Sequence, residues 1–161
     1  PSIVFYNLHN CAAVHFIEAD NSSYLCSNRK DSTYIYMKNI AETYWKRKKM
    51  PIPHLLLSDY EGRNVWSHKG IVHWRGMNIC MATDGYWRNK SATNLLDIDY
   101  MYLCKGYKGE IAPLQKLFHI KRIVLDASLG DYKSKAYKEE CKTLGLDYID
   151  ISEKGSFRIL L

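Results

Sequence analysis

The sequence predicts an α+β fold in which helices pack outside a pair of sheets. Three observations lead there. The first half is rich in short β-branched and aromatic runs, the second half alternates strand-like and helix-like segments, and Arg122 to Asp126 is apolar without alternation, like a strand covered on both faces. The 161 residues show no internal repeat and no linker, so a single domain spanning 1–161 is expected. A composition of 47% hydrophobic and 25% charged residues excludes a disordered tail or a collagen-like rod.

Three strands open the chain: Ile3 to Tyr6, Ala13 to Ile17 and Ser23 to Cys26, separated by Asn, His, Asp and Ser clusters that favour turns. The period then changes. With Asp31 or Ser32 as N-cap, Tyr36, Met37, Ile40, Ala41, Tyr44 and Trp45 share one helical face, and Pro51 and Pro53 close the segment. A short strand from His54 to Leu57 and a turn at Asp59 to Gly62 precede a β-meander. Its strands are Val65 to His68, Ile71 to Trp74 and Met77 to Ala82, with a tight turn at Arg75-Gly76. Polar residues through Thr93 read as loop or one short helix. Ile98 to Cys104 reads as a strand, Glu110 to His119 as a helix entered through Gly109, and Asp131 to Leu144 as a helix stopped by Gly145. Tyr148 to Ile151 and Phe157 to Leu160 finish as strands around a Glu153-Lys154-Gly155 turn.

The charge is uneven. Residues 29–90 carry 12 Lys+Arg against 5 Asp+Glu, whereas the remainder carries 11 against 12. Within the basic third, Lys46, Arg47, Lys48 and Lys49 are consecutive and follow Tyr44 and Trp45. Cations that neutralise phosphates beside rings that stack on bases are what single-strand nucleic-acid binding uses. The same run also suits the last turn of a helix, where the dipole favours cations.

Other chemistry is thin. Cys11, Cys26, Cys80, Cys104 and Cys141 form no C-x-x-C pair and read as small buried thiols. Asp59, Asp84 and Asp126 each follow an apolar strand and could meet at one sheet edge as a Mg²⁺ site, although such residues more often bond turn backbone. His68 and His73 lie across a turn from one another. There is no G-x-S-x-G elbow, no G-x-x-x-x-G-K-[ST] and no G-x-G-x-x-G, so no small-molecule cofactor is expected.

Three stretches carry a resemblance: Ile3 to Leu8 through Val14 to Ile17, Met77 to Asp84 with its apolar strand running into Ala-Thr-Asp, and Ile123 to Ser128 through Ser152 to Phe157. Together they resemble the C-terminal domain of the ComEC family, the channel proteins that take up DNA in competent bacteria. The resemblance implies a metallo-β-lactamase-like αββα sandwich of reduced size.

In that fold two divalent cations about 3.5–4 Å apart would be held by clustered His and Asp side chains. The first of those motifs, His-x-His-x-Asp-His, is missing, since no two of His9, His15, His54, His68, His73 and His119 stand at i, i+2. Where the family places a paired His, this chain has Cys104-Lys105-Gly106-Tyr107; where it places the final His-Pro, this chain has Leu129-Gly130-Asp131-Tyr132. Asp84 alone matches a ligand position. One carboxylate cannot hold two divalent cations, and Lys105 would repel a metal. No catalytic residue, metal or cofactor is therefore expected.

The expectation that follows is a non-catalytic, soluble domain of a ComEC-like competence protein. Its partners would be DNA, in single-stranded form, and the membrane portion of its own parent. Lys46, Arg47, Lys48 and Lys49 would contact phosphates and Trp45 or Tyr44 would stack. No apolar run reaches the roughly 18 residues of a membrane span, no signal peptide is evident, and the chain opens at Pro1. It is thus expected to be a piece of an inner-membrane protein, on the extracytoplasmic side. Two alternatives stay open: a metal-dependent nuclease with a non-standard site using Asp84, and a purely structural docking module anchored by its aromatic residues.

Overall fold

In a computed structural model, residues 1–28, 31–57 and 59–161 are described, without the side chains of 31–34, 36, 37 and 40. The backbone forms two sheets. The first contains β1 (Ser2–Phe5), β2 (Ala13–Ile17), β3 (Ser23–Ser27), β4 (His54–Leu55) and β12 (Phe157–Leu160), in the order β12-β1-β2-β3-β4. The second contains β5 (Tyr60–Glu61), β6 (Val65–His68), β7 (Ile71–Trp74), β8 (Met77–Ala82), β9 (Leu96–Leu103), β10 (Phe118–Leu125) and β11 (Asp147–Asp150), in the order β11-β10-β9-β8-β7-β6-β5.

Local chemistry sets the hairpins. Lys69 and Gly70 have φ of 49° and 83°, and Arg75 and Gly76 have φ of 49° and 78°. Positive φ at both central residues is the two-residue turn whose twist matches antiparallel strands. From β8 onward the neighbours run parallel, which requires crossovers. One crossover holds the helix α2 (Asp131–Leu144), closed by Gly145 at φ 69° with Leu146 N–H donating to Cys141 O at 2.9 Å, as the sequence predicts.

Side-chain parity builds the layers. Ile3 and Phe5 of β1 point between the sheets, where they meet Phe16, Val72, Trp74, Ile79, Met81, Tyr102 and Val124. Val4, one residue out of phase, points to the opposite face with Ala13 and Leu25, against Ala41 and Trp45 of the helix α1 (Asp31–Arg47). On the far face of the second sheet, Cys80, Met101, Leu103, Ile123 and Leu125 pack against Tyr137 and Cys141 of α2. A helix therefore covers the outer face of each sheet, and β1 and β2 are buried at every position because both their faces are covered.

Of the expected stripe on α1, Ala41 and Trp45 are buried and Tyr44 is half-buried, while Tyr36, Met37 and Ile40 lie outside the described side chains, as do the expected N-caps Asp31 and Ser32. Three readings change. Glu110 to His119 is not an α-helix: a 3₁₀ turn (Ala112–Lys116) occupies its middle, and His119 already belongs to β10. Pro113 sits in the first turn, and from Phe118 to Lys121 burial alternates with period two, a strand's rhythm. Part of the Asp59 to Gly62 turn is β5, paired with β6. The Glu153 turn is the single helical turn α3 (Ile151–Lys154), capped by Asp150 accepting from Ser152 N–H at 2.9 Å. Among the described residues, no helix is long and apolar enough to cross a membrane.

Candidate functional site

The strands β3, β4, β8 and β9 all deliver their carboxyl ends to one end of the two-sheet stack. A cleft of about 960 Å³ opens there. In sheets with parallel strands, ligands gather in the crevice outside the carboxyl ends because the loops there vary without disturbing the core. Ser27 and Asn28 line the cleft after β3, Leu56 and Leu57 after β4, Thr83 and Asp84 after β8, and Lys105, Gly106 and Lys108 after β9. The hairpin turn between β6 and β7 adds His68, Lys69 and Gly70.

Two close approaches hold the loops in place. Met81 N–H donates to Gly70 O at 2.8 Å, tying the Lys69-Gly70 turn to β8. At Gly106 any side chain would collide with the Thr83 carbonyl, so the loop after β9 lies directly against the end of β8. Cys104 N–H donates to Ala82 O at 3.1 Å and Tyr107 N–H to Cys104 O at 3.0 Å, which fixes that loop on either side of Gly106. Lys69, Lys105 and Lys108 are thereby carried on adjoining backbone and are all exposed.

The acids at this end are already engaged. His68 Nδ1 lies 2.7 Å from Asp59 Oδ2, and that bond holds the Asp59 carboxyl below its usual range. Asp84 Oδ1 accepts from Tyr86 N–H at 2.9 Å, an Asx-type turn contact. Asp126 does not join them. It is buried, its carboxylate accepting from Tyr102 Oη–H, Ser128 Oγ–H and Ser128 N–H, and burial pushes its pKa up despite those bonds. His73 bonds Asn78 at 2.7 Å, and β6 and β7 pair Trp66, not His68, with His73.

The basic run lies elsewhere. Because β3 and β4 are parallel, α1 returns the chain from the carboxyl end of one to the amino end of the other. Its 17 residues span about 25 Å. Lys46 to Lys49, at its far end, are not among the residues that line the cleft. Lys46 pairs with Glu42 at 3.0 Å, while Arg47, Lys48 and Lys49 are exposed and make no ion pair with the described residues. Tyr44 Oη accepts from Arg158 Nη2 at 2.6 Å.

Trp45 corrects the expectation of stacking. It is 4% exposed, its Nε1–H points to Tyr6 Oη at 3.4 Å, and the His15 ring meets it edge-on at 5.8 Å. Its (i, i+4) relation to Ala41 puts it on the core stripe, and no ring face is left for a base. All five cysteines are buried, as expected, and burial raises the thiols of Cys11 and Cys141 to about 11, so they are protonated at neutral pH.

A family model of the ComEC C-terminal domain matches residues 3–161. The chain belongs to that family. Membership ties it to the uptake of DNA in competence and to a membrane-associated protein. Neither the curated proteins nor the solved structures provide a match.

A pair of divalent cations does not fit the residues of this ComEC C-terminal domain. Asp59 and His68 bond each other, Asp84 caps a turn, and three ammonium groups share the cleft with them. Among the described residues, nowhere do three His, Cys, Asp or Glu side chains converge as metal ligands. Sequence reasoning missed Lys69 and Lys108, and took Lys105 only as an obstacle to metal. Their shared signal is position: Lys69 follows β6 directly, and Lys105 and Lys108 lie two and five residues beyond the end of β9.

Proposed function

We propose that this chain is the non-catalytic, DNA-contacting domain of a ComEC-like competence protein, built on a metallo-β-lactamase-like αββα sandwich that has lost its metal ligands. The order helix, sheet, sheet, helix supports that scaffold. Lys46, Arg47, Lys48 and Lys49 at the end of α1 contact phosphates of single-stranded DNA, with Tyr44 beside them. The observation that carries this reading is an unbroken exposed run of cations in which Lys46 alone pairs with a carboxylate among the described residues. The domain stands on the extracytoplasmic side, next to the membrane portion of its parent.

Binding of a fluorescent single strand at low salt, with Lys46, Arg47, Lys48 and Lys49 all changed to Gln, tests it. Each neutralised phosphate on a single strand adds about 0.7 to the slope of log K against log salt. The quadruple variant is therefore expected to bind more weakly and to lose roughly 2–3 from that slope. Unchanged affinity and slope would remove the patch from the function.

A second reading rests on a separate observation. Tyr132 is 88% exposed and Leu160 and Leu161 are 76% and 50% exposed, the last two at the open edge of the first sheet. These suit docking on the parent protein, and crosslinking from position 132 or 160 in the full-length protein measures it. The nuclease reading is tested by plasmid nicking in Mn²⁺, where no activity is expected from the wild type or from Asp84→Ala.

A further inference from the structure

The cleft at the strand ends is a second cationic feature, independent of the run on α1. Its charge balance favours an anion. Lys69, Lys105 and Lys108 outnumber the two acids of the cleft, Asp59, which bonds His68 and also feels the Lys69 ammonium, and Asp84, which accepts from the Tyr86 amide. Lys105 and Lys108 make no ion pair with the described residues, and Lys69 Nζ lies over the Tyr86 ring, 5.4 Å from its centroid. Tyr86 is itself 39% exposed and carries Lys90 at 4.7 Å on its ring.

The remaining polar lining also donates. Asn28 Oδ1 accepts from Ala12 N–H at 3.0 Å, which leaves its amide group to donate, and Ser27 and Thr83 bring hydroxyls. Lysines serve as point-charge partners for phosphate oxygens, and hydroxyl and amide donors complete such sites. A volume of about 960 Å³ is that of a pocket for a small ligand or a chain end, rather than a flat docking surface.

We propose that this cleft is a phosphate-binding site in which Lys69, Lys105 and Lys108 hold a phosphate group carried on a nucleic-acid strand. Phosphate occupies the strand-end crevice by ion pairing with ammonium groups and needs no metal. The loop after β9 supplies two of the three cations, and its close packing on Thr83 keeps them in place. No bond is made or broken in the bound phosphate. That the phosphate is carried on nucleic acid rests on the reading that this domain contacts DNA, but the site does not depend on the run on α1, because none of Lys46 to Lys49 lines it.

The test is a titration of the isotope-labelled chain at constant ionic strength, followed by amide chemical shifts. The probes are inorganic phosphate, a thymidine dinucleotide bearing a 5′-phosphate, and the same dinucleotide without it. Saturable shifts are expected at residues 69–70, 83–84 and 105–108. The double variant Lys105→Gln/Lys108→Gln should raise the apparent Kd at least tenfold. Lys69→Gln, on a separate turn, should raise it severalfold. Lys135→Gln/Lys154→Gln, an equal charge loss at exposed positions outside the cleft, should change it less than twofold.

Tighter binding of the 5′-phosphorylated dinucleotide assigns the site to a strand terminus. Equal binding of both dinucleotides assigns it to the backbone diester. Shifts that never saturate, or equal weakening by the cleft and control double variants, overturn the proposal.

Discussion

Gly106→Ala is the most direct probe of how the cleft is built. A Cβ at this position would lie far inside van der Waals contact with the Thr83 carbonyl oxygen, and the nearest atoms are all backbone, which cannot swing aside as a side-chain tip can. Relief requires the loop after β9 to lift away from β8. That movement is resisted on both sides, by Cys104 N–H to Ala82 O at 3.1 Å and by Tyr107, which is 1% exposed with its Oη–H donating to Glu110 O at 2.6 Å. Forcing one extra carbon into a packed site costs about 1–3 kcal/mol. For a chain of this length each kcal/mol lowers Tm by about 2–4 °C, so a loss of roughly 4–8 °C is expected in the middle of that range. The accompanying readout is the amide spectrum, where residues 83–84 and 104–108 should shift together. A melting temperature within 1 °C of wild type, with shifts confined to position 106, would show that the two loops are not locked and that Lys105 and Lys108 are not held where the phosphate site needs them.

Four further outcomes follow from side chains already described. Trp45→Phe should leave single-strand affinity unchanged within twofold, since the ring is buried, whereas Trp45→Ala should cost about 3–5 kcal/mol in urea melts. Gly145→Ala places a Cβ at φ 69° and should cost about 1–2 kcal/mol, read as a fall in Tm with DNA binding intact. Burial pushes His15 down to about 4, so between that value and about 6.5 the unfolded chain binds a proton that the folded one does not. Stability should therefore fall as pH falls from 6.5 towards 4, by up to about 3 kcal/mol, and His15→Gln should remove that slope; an unchanged slope in urea melts refutes it. Asp126 works with opposite sign. Burial raises its folded pKa, so its stabilising contribution is complete below the unfolded carboxyl value and is lost as pH rises through the raised one; Asp126→Asn should be least disadvantaged at the alkaline end of the same series.

Much of the sandwich was legible because period and punctuation agree. Ile71 to Trp74 and Met77 to Ala82 are short β-branched or apolar runs around Arg75-Gly76, and Gly145 marks the end of α2 in a left-handed conformation that glycine adopts without the strain of a Cβ. Glu110 to His119 misled because Ile111, Leu114, Leu117 and Phe118 satisfy a helical spacing, while the alternation that reveals β10 begins only at Phe118 and runs past the supposed helix end. The basic run drew attention because its four cations are adjacent in sequence. Lys69 is far along the chain from Lys105 and Lys108, and only the neighbouring of β7, β8 and β9 brings the two loops to one rim. Trp45 shows the converse error: it stands beside cations in sequence, yet helical geometry turns it a hundred degrees away from Lys46 and into the core.

The two cation sets differ in what the fold does to them. At the end of α1 the charges ride on a helix terminus whose dipole favours them with no ligand at all, so their clustering alone is weak evidence of a partner. In the cleft no such helix end accounts for Lys105 and Lys108, and neither makes an ion pair with a carboxylate of the described residues. Asp126 makes the point most sharply. It follows β10 beside the loop that carries Lys105, where a free carboxylate would neutralise an ammonium, but it is buried and bonded to Tyr102 and Ser128 instead, and Ser128 Oγ in turn accepts from Lys105 N–H at 3.3 Å. The carboxylate thus stiffens the backbone beneath the lysine without cancelling its charge. A strand-end crevice whose three exposed lysines outnumber its two hydrogen-bonded acids is arranged to attract phosphate rather than a divalent cation.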